Sequence, residues 1–252
     1  MPDFDKLLEL SKHVAVKAGE KLLKANDSDY KKHKYSVSLP KEIKSGADSI
    51  LEKYILHKLV QAGFPVLSEE AGLVNGEIKS KYMFIVDPLD GTYNFVKNLG
   101  SYAVSIAFWD GKKPIFGVIY DLTDRNLYWG GDYVGAYCND QPISVSDTKY
   151  HSEAAICTGF PVRFDVDSDN ERKFFWNLVG SFSKIRMLGS AAISLINVAK
   201  GSADVYSEQN IMLWDVAAGL AIVEGAGGQI NINMTDYMLN AYASNKHLTE
   251  LI

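Results

Sequence analysis

Cysteine is scarce in this chain: two in 252 residues, Cys138 and Cys157. Neither belongs to a C-x-x-C pair, and no grouping of histidine with cysteine has zinc spacing, which sets aside a disulfide framework and a structural zinc site. Positive charge is also in short supply. The 26 Lys and Arg stand against 31 Asp and Glu, for a net charge of −5, which argues against a nucleic-acid partner of the general basic-patch kind. A small phosphorylated substrate is compatible with that sign, because bound cations reverse it locally. No apolar run approaches the ~20 residues that span a bilayer, and Met1-Pro2-Asp3-Phe4-Asp5 has neither the basic nor the apolar stretch of a signal peptide. The expectation is a soluble, cytoplasmic protein with no membrane and no nucleic-acid partner. No internal repeat, low-complexity tract or flexible linker is visible. What is abundant is apolar material, 47% hydrophobic and 12% aromatic, enough for a substantial core in one large unit or two intimately packed lobes.

The most informative stretch is Asp87-Pro88-Leu89-Asp90-Gly91-Thr92. The continuous apolar run Tyr82 to Val86 before it reads as a buried strand, and Tyr93-Asn94-Phe95-Val96 after it can open a short helix. Pro88 pushes Asp87 into an extended conformation, and Gly91 allows a ligand to approach the backbone. Amides at a helix start attract an anion. Carboxylates beside them would repel it unless a divalent cation lies between. On these residues alone, a solvated Asx-type turn remains an equal reading.

Around this stretch the pattern alternates helix and strand. Residues 3 to 25 have apolar positions at three- and four-residue spacing, an amphipathic helix. Residues 26 to 47 read as polar and turn-rich, with a basic cluster, Lys31-Lys32-His33-Lys34, that is a solvated face or steers an anionic substrate. Asp48 reads as the N-cap of a second helix, closed by Gly63-Phe64-Pro65. Val66-Leu67 is a short strand that delivers Glu69 and Glu70, which point different ways from an extended chain. Residues 71 to 80 read as a surface loop. A run of antiparallel strands follows from Tyr102 to Ser146. Then come a strand at Ala154 to Cys157, a helix over 168 to 182 capped by Ser168, a strand at Lys184 to Leu188, and a helix from Gly189-Ser190 to about Lys200. Ala203 to Ser207 reads as a strand with Glu208 just beyond it. Trp214-Asp215 opens a helix to about Gly225, and Gln229 to Asn233 and Ala241 to Ala243 close the chain as strands.

Four separate segments thus end in carboxylates: Asp48, Glu69, the Asp87/Asp90 pair and Asp215. With Leu67-Ser68-Glu69-Glu70, then Asp87-Pro88-Leu89-Asp90-Gly91-Thr92-Tyr93-Asn94-Phe95, then Trp214-Asp215-Val216-Ala217-Ala218-Gly219 and Glu224-Gly225-Ala226-Gly227-Gly228, the sequence closely resembles the inositol monophosphatase family of metal-dependent phosphomonoesterases. Gly135-Ala136-Tyr137-Cys138-Asn139 and Thr158-Gly159-Phe160-Pro161 extend the likeness over essentially the whole chain. The resemblance implies an α+β fold, a layered αβαβα sandwich, built as a single phosphatase unit over 1–252. Within it, residues 1–150 would form a metal and phosphate lobe and 151–252 a substrate lobe. It implies two or three Mg²⁺ ions held by Glu69, Asp87, the Leu89 carbonyl, Asp90 and Asp215, with Glu70 outside that set. Oxygen ligands alone suit such hard cations. Asp48 and Thr92 would orient and deprotonate the attacking water, and the Gly91 and Thr92 amides would hold the phosphate. No covalent phosphoenzyme is expected, since attack by a metal-activated water requires no His, Cys or Ser nucleophile, and none of the five His residues falls in a matching motif. The resemblance also implies a homodimer.

Substrate choice rests on fewer residues. Glu208 stands where inositol monophosphatases carry a carboxylate for substrate hydroxyls, and Gly189, Ser190 and Ala191 lie in what resembles their substrate-binding segment. Leu67-Ser68-Glu69-Glu70 instead resembles the bisphosphate nucleotidases. The expectation is an inositol monophosphate or a related polyol or sugar phosphate. A 3′(2′),5′-bisphosphate nucleotidase is the alternative, followed by fructose-1,6-bisphosphatase, histidinol phosphatase and a non-catalytic metal-binding protein.

Overall fold

The computed structural model describes residues 2–24, 30, 32–36, 43–77, 80–160, 165 and 167–249. Of the stretches discussed above, residues 25–29, 31, 37–42, 78–79 and 161 lie outside them. Helix α1 (Phe4–Lys24) buries Leu7, Leu8, Val14, Ala15, Ala18 and Leu22 along one stripe. Next come β1 (His33–Tyr35) and β2 (Ile43–Ser45), paired antiparallel, so the expected turn-rich segment contributes a small ribbon. β2 runs straight into α2 (Gly46–Leu59).

The cap of α2 corrects the sequence expectation. The N-cap is Ser45, and Asp48 is the third residue of the helix, its carboxylate returning to the Ser45 amide in a reciprocal capping box. The helix ends through a short 3₁₀ turn at Gly63, in the left-handed region at φ +82°. β3 (Val66–Ser68) is followed by β4 (Gly72–Val74), a short strand where only a loop was expected; it pairs with β3 at the sheet edge.

The first sheet continues with β5 (Met83–Asp90), the one-and-a-half-turn helix α3 (Thr92–Lys97), and then β6 (Ala103–Trp109), β7 (Pro114–Asp121), β8 (Asn126–Gly131), β9 (Gly135–Cys138) and β10 (Gln141–Pro142). The spatial order is β10-β9-β8-β7-β6-β5-β3-β4. It is antiparallel throughout except that β3 runs parallel to β5. β11 (Ala155–Cys157), α4 (Asp169–Ser181), β12 (Lys184–Arg186), α5 (Ala191–Ala199), β13 (Val205–Met212), α6 (Leu213–Gly225), β14 (Gln229–Thr235) and β15 (Met238–Ser244) complete the chain. The second sheet has the order β12-β11-β13-β15-β14. Glu208 sits inside β13, not past its end, because the strand continues through an irregularity between Glu208 and Ile211.

The layering follows from two-residue alternation. Phe84, Val86, Val104, Ile106 and Phe108 point to one face of the first sheet and pack on α1 and α2. Met83, Ile85, Ala103, Ala107 and Trp109 point to the other and pack on α5 and α6. Those two helices meet Tyr206, Leu239, Ala241 and Ala243 of the second sheet on their far side. Leu178 of α4 joins Ile156, Val205 and Tyr242 to cover the outer face. The sequence of layers is αβαβα. β5 is buried at all eight positions because both its faces are covered. Packing of α6 on the first sheet is close enough that a Cβ at Gly117 would stand 2.0 Å from the Ala218 carbonyl oxygen.

Candidate active site

The site begins with a pairing error at the end of β5. Asp87 is opposite Ser105 and Asp90 opposite Ala103, so β5 spends three steps where β6 spends two. In a regular strand, residues three apart point to opposite faces. The extra residue turns both carboxylates into one cleft of about 500 Å³. Asp87 Oδ1 accepts from the Leu89 amide at 2.9 Å, which holds the turn. Gly91 follows at φ +86°, with no room for a Cβ, which would lie 2.7 Å from the Ser101 carbonyl oxygen. Thr92 then starts α3 with its hydroxyl 2.9 Å from Asp48 Oδ1 and 3.0 Å from the Leu89 carbonyl oxygen.

Asp48 meets this hydroxyl from α2. Its Oδ2 accepts from the Ser45 amide at 2.8 Å and the Ser45 hydroxyl at 2.5 Å, leaving Oδ1 for Thr92. Glu69, at the end of β3, lines the cleft and is hydrogen-bonded to Asp87. Its neighbour Glu70 pairs with Lys44 at 2.8 Å while keeping an oxygen within reach of Glu69 and Asp48, so the two adjacent carboxylates do not diverge as expected. Asp215, in the first turn of α6, accepts from the Met212 amide at 3.3 Å. Two trios emerge, Asp48/Glu69/Glu70 and Asp87/Asp90/Asp215, and each can offer oxygens within 4.8 Å of one another.

Gly189, Ser190 and Ala191 line the same cleft, where two of them also donate to Asp90. The Ser190 hydroxyl donates to Asp90, as do the amides of Ala191 at 3.3 Å and Ala192 at 3.0 Å. The start of α5 therefore braces Asp90 from within the cleft lining. Asn94 reinforces the same junction, donating to the Leu188 carbonyl at 2.7 Å and the Ser101 carbonyl at 3.0 Å. Glu208 faces the cleft from β13 and accepts from the Tyr206 hydroxyl at 3.0 Å. Ser68 is off the cleft; it is buried and donates to Glu52 at 2.6 Å.

Comparison with known proteins decides the family. The model of the inositol monophosphatase family matches residues 3–246. The chain belongs to that family. A fructose-1,6-bisphosphatase/inositol-1-monophosphatase of Aquifex aeolicus is 34% identical over 231 residues, covering 90% of this chain and 86% of that protein. A Nus factor SuhB of Xylella fastidiosa is 36% identical over 188 residues, 74% of this chain and 67% of that protein. The crystal structure of the extragenic suppressor protein SuhB from Bartonella henselae superimposes with a TM-score of 0.83 at 33% identity, covering 96% of this chain and 95% of that one. As a member of the inositol monophosphatase family, the chain is a metal-dependent phosphatase of small phosphorylated substrates. Among the described residues, no helix is long and apolar enough to cross a membrane.

The electrostatics of the cleft fit a resident cation. Burial pushes Glu69 up to about 8, helped by the charge of Asp48. Burial likewise lifts Asp90 to about 6, held down by its bonds from Ser190, Ala192 and Ala191. Asp87 and Asp215 are raised well above the carboxylate range, first by burial and then by Glu69 and Asp90. Asp48 is raised by burial, against its bonds from Ser45 and Thr92. Glu208 reaches about 7, again through burial first. Gathering so many buried carboxylates is costly unless positive charge joins them, and the donors are all oxygen, the chemistry of a hard divalent ion.

Ser45, Lys44, Asn94 and Tyr206 were missed in the sequence reading. Ser45-Gly46-Ala47-Asp48 carries the capping-box spacing and was findable. Lys44 and Asn94 act on partners 26 and 94 residues away, and Tyr206, though two residues from Glu208, reads from sequence as one more buried aromatic.

Proposed function

We propose that the chain is a Mg²⁺-dependent phosphatase of a small polyol or sugar monophosphate, with inositol 1-phosphate the foremost candidate. The observation that carries this reading is the Thr92 hydroxyl, held between Asp48 and the Leu89 carbonyl beside the Asp87/Asp90/Asp215 trio. Glu69, Asp87, Asp90, Asp215 and the Leu89 carbonyl would hold two or three Mg²⁺, with Glu70 outside them, paired to Lys44. Bound there, the cations supply a lowered water pKa and neutralise charge on the phosphoryl oxygens and leaving alkoxide. The chain's own groups do the rest. Asp48 takes a proton through the Thr92 hydroxyl, which accepts from the attacking water as it donates to the carboxylate. The amides of Gly91 and Thr92 orient the phosphate. Glu208 accepts from the hydroxyls of the leaving group, for which a carboxylate is a good bidentate partner.

Residues 1–150 carry most of the metal and phosphate groups in this reading and 151–252 the leaving-group contacts, with Asp215 crossing that division. Ser68, bonded to Glu52, contributes nothing to substrate choice. The test is phosphate release from inositol 1-phosphate, 3′-phosphoadenosine 5′-phosphate, fructose 1,6-bisphosphate and histidinol phosphate, with Mg²⁺ and then with EDTA. Mg²⁺-dependent preference for inositol 1-phosphate is expected. Preference for 3′-phosphoadenosine 5′-phosphate assigns the nucleotidase branch instead, and turnover that persists in EDTA removes the metal reading. The homodimer implied by family membership is tested by sedimentation.

A further inference from the structure

We infer that Tyr206 is a positioning residue for leaving-group recognition: it aims the Glu208 carboxylate at the substrate's hydroxyls. The inference rests on Glu208 being the hydroxyl acceptor of the proposed function. Tyr206 and Glu208 are two apart on β13, so their side chains share one face of the strand. The Tyr206 ring is fully buried among the helices between the sheets. Its hydroxyl, also buried, has Glu208 Oε2 as its one hydrogen-bond partner among the described residues, at 3.0 Å. A phenylalanine would fill the same core volume with no polar atom to satisfy, so the oxygen contributes through Glu208. Burial and the facing carboxylate keep the phenol protonated, so it donates to the ionised form of Glu208, which only accepts.

The carboxylate is held from a second side as well. A Cβ on Gly159 would lie 2.9 Å from Oε2 and 3.0 Å from Oε1, so only a residue without a side chain leaves the carboxylate this place. The preceding Thr158 hydroxyl donates to the Ser207 carbonyl at 2.7 Å, tying this loop to β13 at the residue between Tyr206 and Glu208. Tyr206 takes Oε2, Gly159 lies close beside both oxygens, and Glu208 and Gly159 both line the cleft.

The test uses Tyr206→Phe and Glu208→Gln in the full chain with Mg²⁺ present. 4-Nitrophenyl phosphate, whose leaving group has no hydroxyl pair, serves as the reporter substrate. The inhibition constants of myo-inositol 1-phosphate and of inorganic phosphate against it are measured for each protein. Tyr206→Phe is expected to weaken inositol 1-phosphate by about fivefold, the scale of one net hydrogen bond, with the inorganic phosphate constant and the reporter kcat unchanged. Gly159→Ala, whose methyl meets both oxygens, is expected to show the same selective loss. An unchanged inositol 1-phosphate constant in Tyr206→Phe, or an equal loss for inorganic phosphate, overturns the inference. Failure of Tyr206→Phe to fold also overturns it, since an oxygen that serves only to aim Glu208 is not needed for the core. If Glu208→Gln itself leaves inositol 1-phosphate unaffected, the reading of Glu208 fails. If Glu208→Gln is selective and Tyr206→Phe is silent, the positioning role alone fails.

Discussion

Replacing Asp215 with Asn removes one negative charge from the centre of the acidic cluster while changing the side-chain volume little. Its oxygen lies within 4.8 Å of oxygens of Asp87 and Asp90. At an effective dielectric constant of about 20, two unit charges that close repel by about 3–4 kcal/mol. The metal-free chain relieves most of this by retaining protons; Asp215 titrates well above the usual range, first through burial and then through the charges of Glu69 and Asp90. About 1–2 kcal/mol of that strain is a reasonable share for the variant to recover, or about 3–6 °C in melting temperature for a chain of this size. The bond Asp215 accepts from the Met212 amide at 3.3 Å is kept by the Asn carbonyl. Mg²⁺ reverses the ranking. At about a hundred times its dissociation constant, a ligand adds about 2.7 kcal/mol to the native state, and the variant has one anionic donor fewer with which to bind it. Thermal unfolding with EDTA and then across a Mg²⁺ titration should show Asp215→Asn melting above the unaltered protein without metal and gaining less from Mg²⁺. A variant that melts lower in EDTA and keeps the full Mg²⁺ shift would refute the assignment of this cluster to a cation.

Asp90→Asn should lower Mg²⁺-dependent turnover by about a thousandfold, since it weakens a metal donor at the reacting phosphate, with the far-ultraviolet circular dichroism retained; normal turnover would remove Asp90 from the ligand set. In EDTA, stability should fall as pH rises from 5 to 8. Folded-state values of about 8 for Glu69 and about 6 for Asp90 exceed their ordinary 4.5 and 3.8, so the folded chain holds protons that the unfolded chain has released. Their contribution is fully present only below about pH 4 and is lost as pH climbs through the folded values; saturating Mg²⁺ should flatten the profile, and a melting temperature that rises over this range in EDTA would contradict it. Gly117→Ala places a methyl against the Ala218 backbone and should cost about 3 kcal/mol, or about 10 °C in melting temperature; an unchanged melting curve would mean that α6 does not sit this close to β7.

Much of the fold was legible because its signals are local. The apolar run before Asp87 announces a strand buried on both faces, and the three- and four-residue spacing of Leu7, Leu8, Val14, Ala15, Ala18 and Leu22 announces α1. What escaped depended on partners elsewhere. β4 has three half-buried residues and becomes a strand only by pairing with β3. Asp48 looked like a cap because a carboxylate before an apolar pattern usually is one, yet Ser45 three residues earlier holds that position. The candidate ligands were legible as carboxylates at segment ends. That Asp87 and Asp90 share a cleft depends on a bulge against β6, and that the α5 amides engage Asp90 depends on a contact 101 residues away in sequence.

That last contact has a consequence for how the chain folds. Ser190 meets Asp90 across 100 residues, Asn94 meets Leu188 across 94, and Thr92 meets Asp48 across 44. Such non-local contacts are entropically late events. A partly folded chain with only its first sheet formed would lack Asp215 and leave Asp90 without the start of α5. The cation site is therefore a property of the finished molecule. An ion that binds it reports completion of both sheets at once, and its affinity is a measure of how well the two halves of the chain have joined.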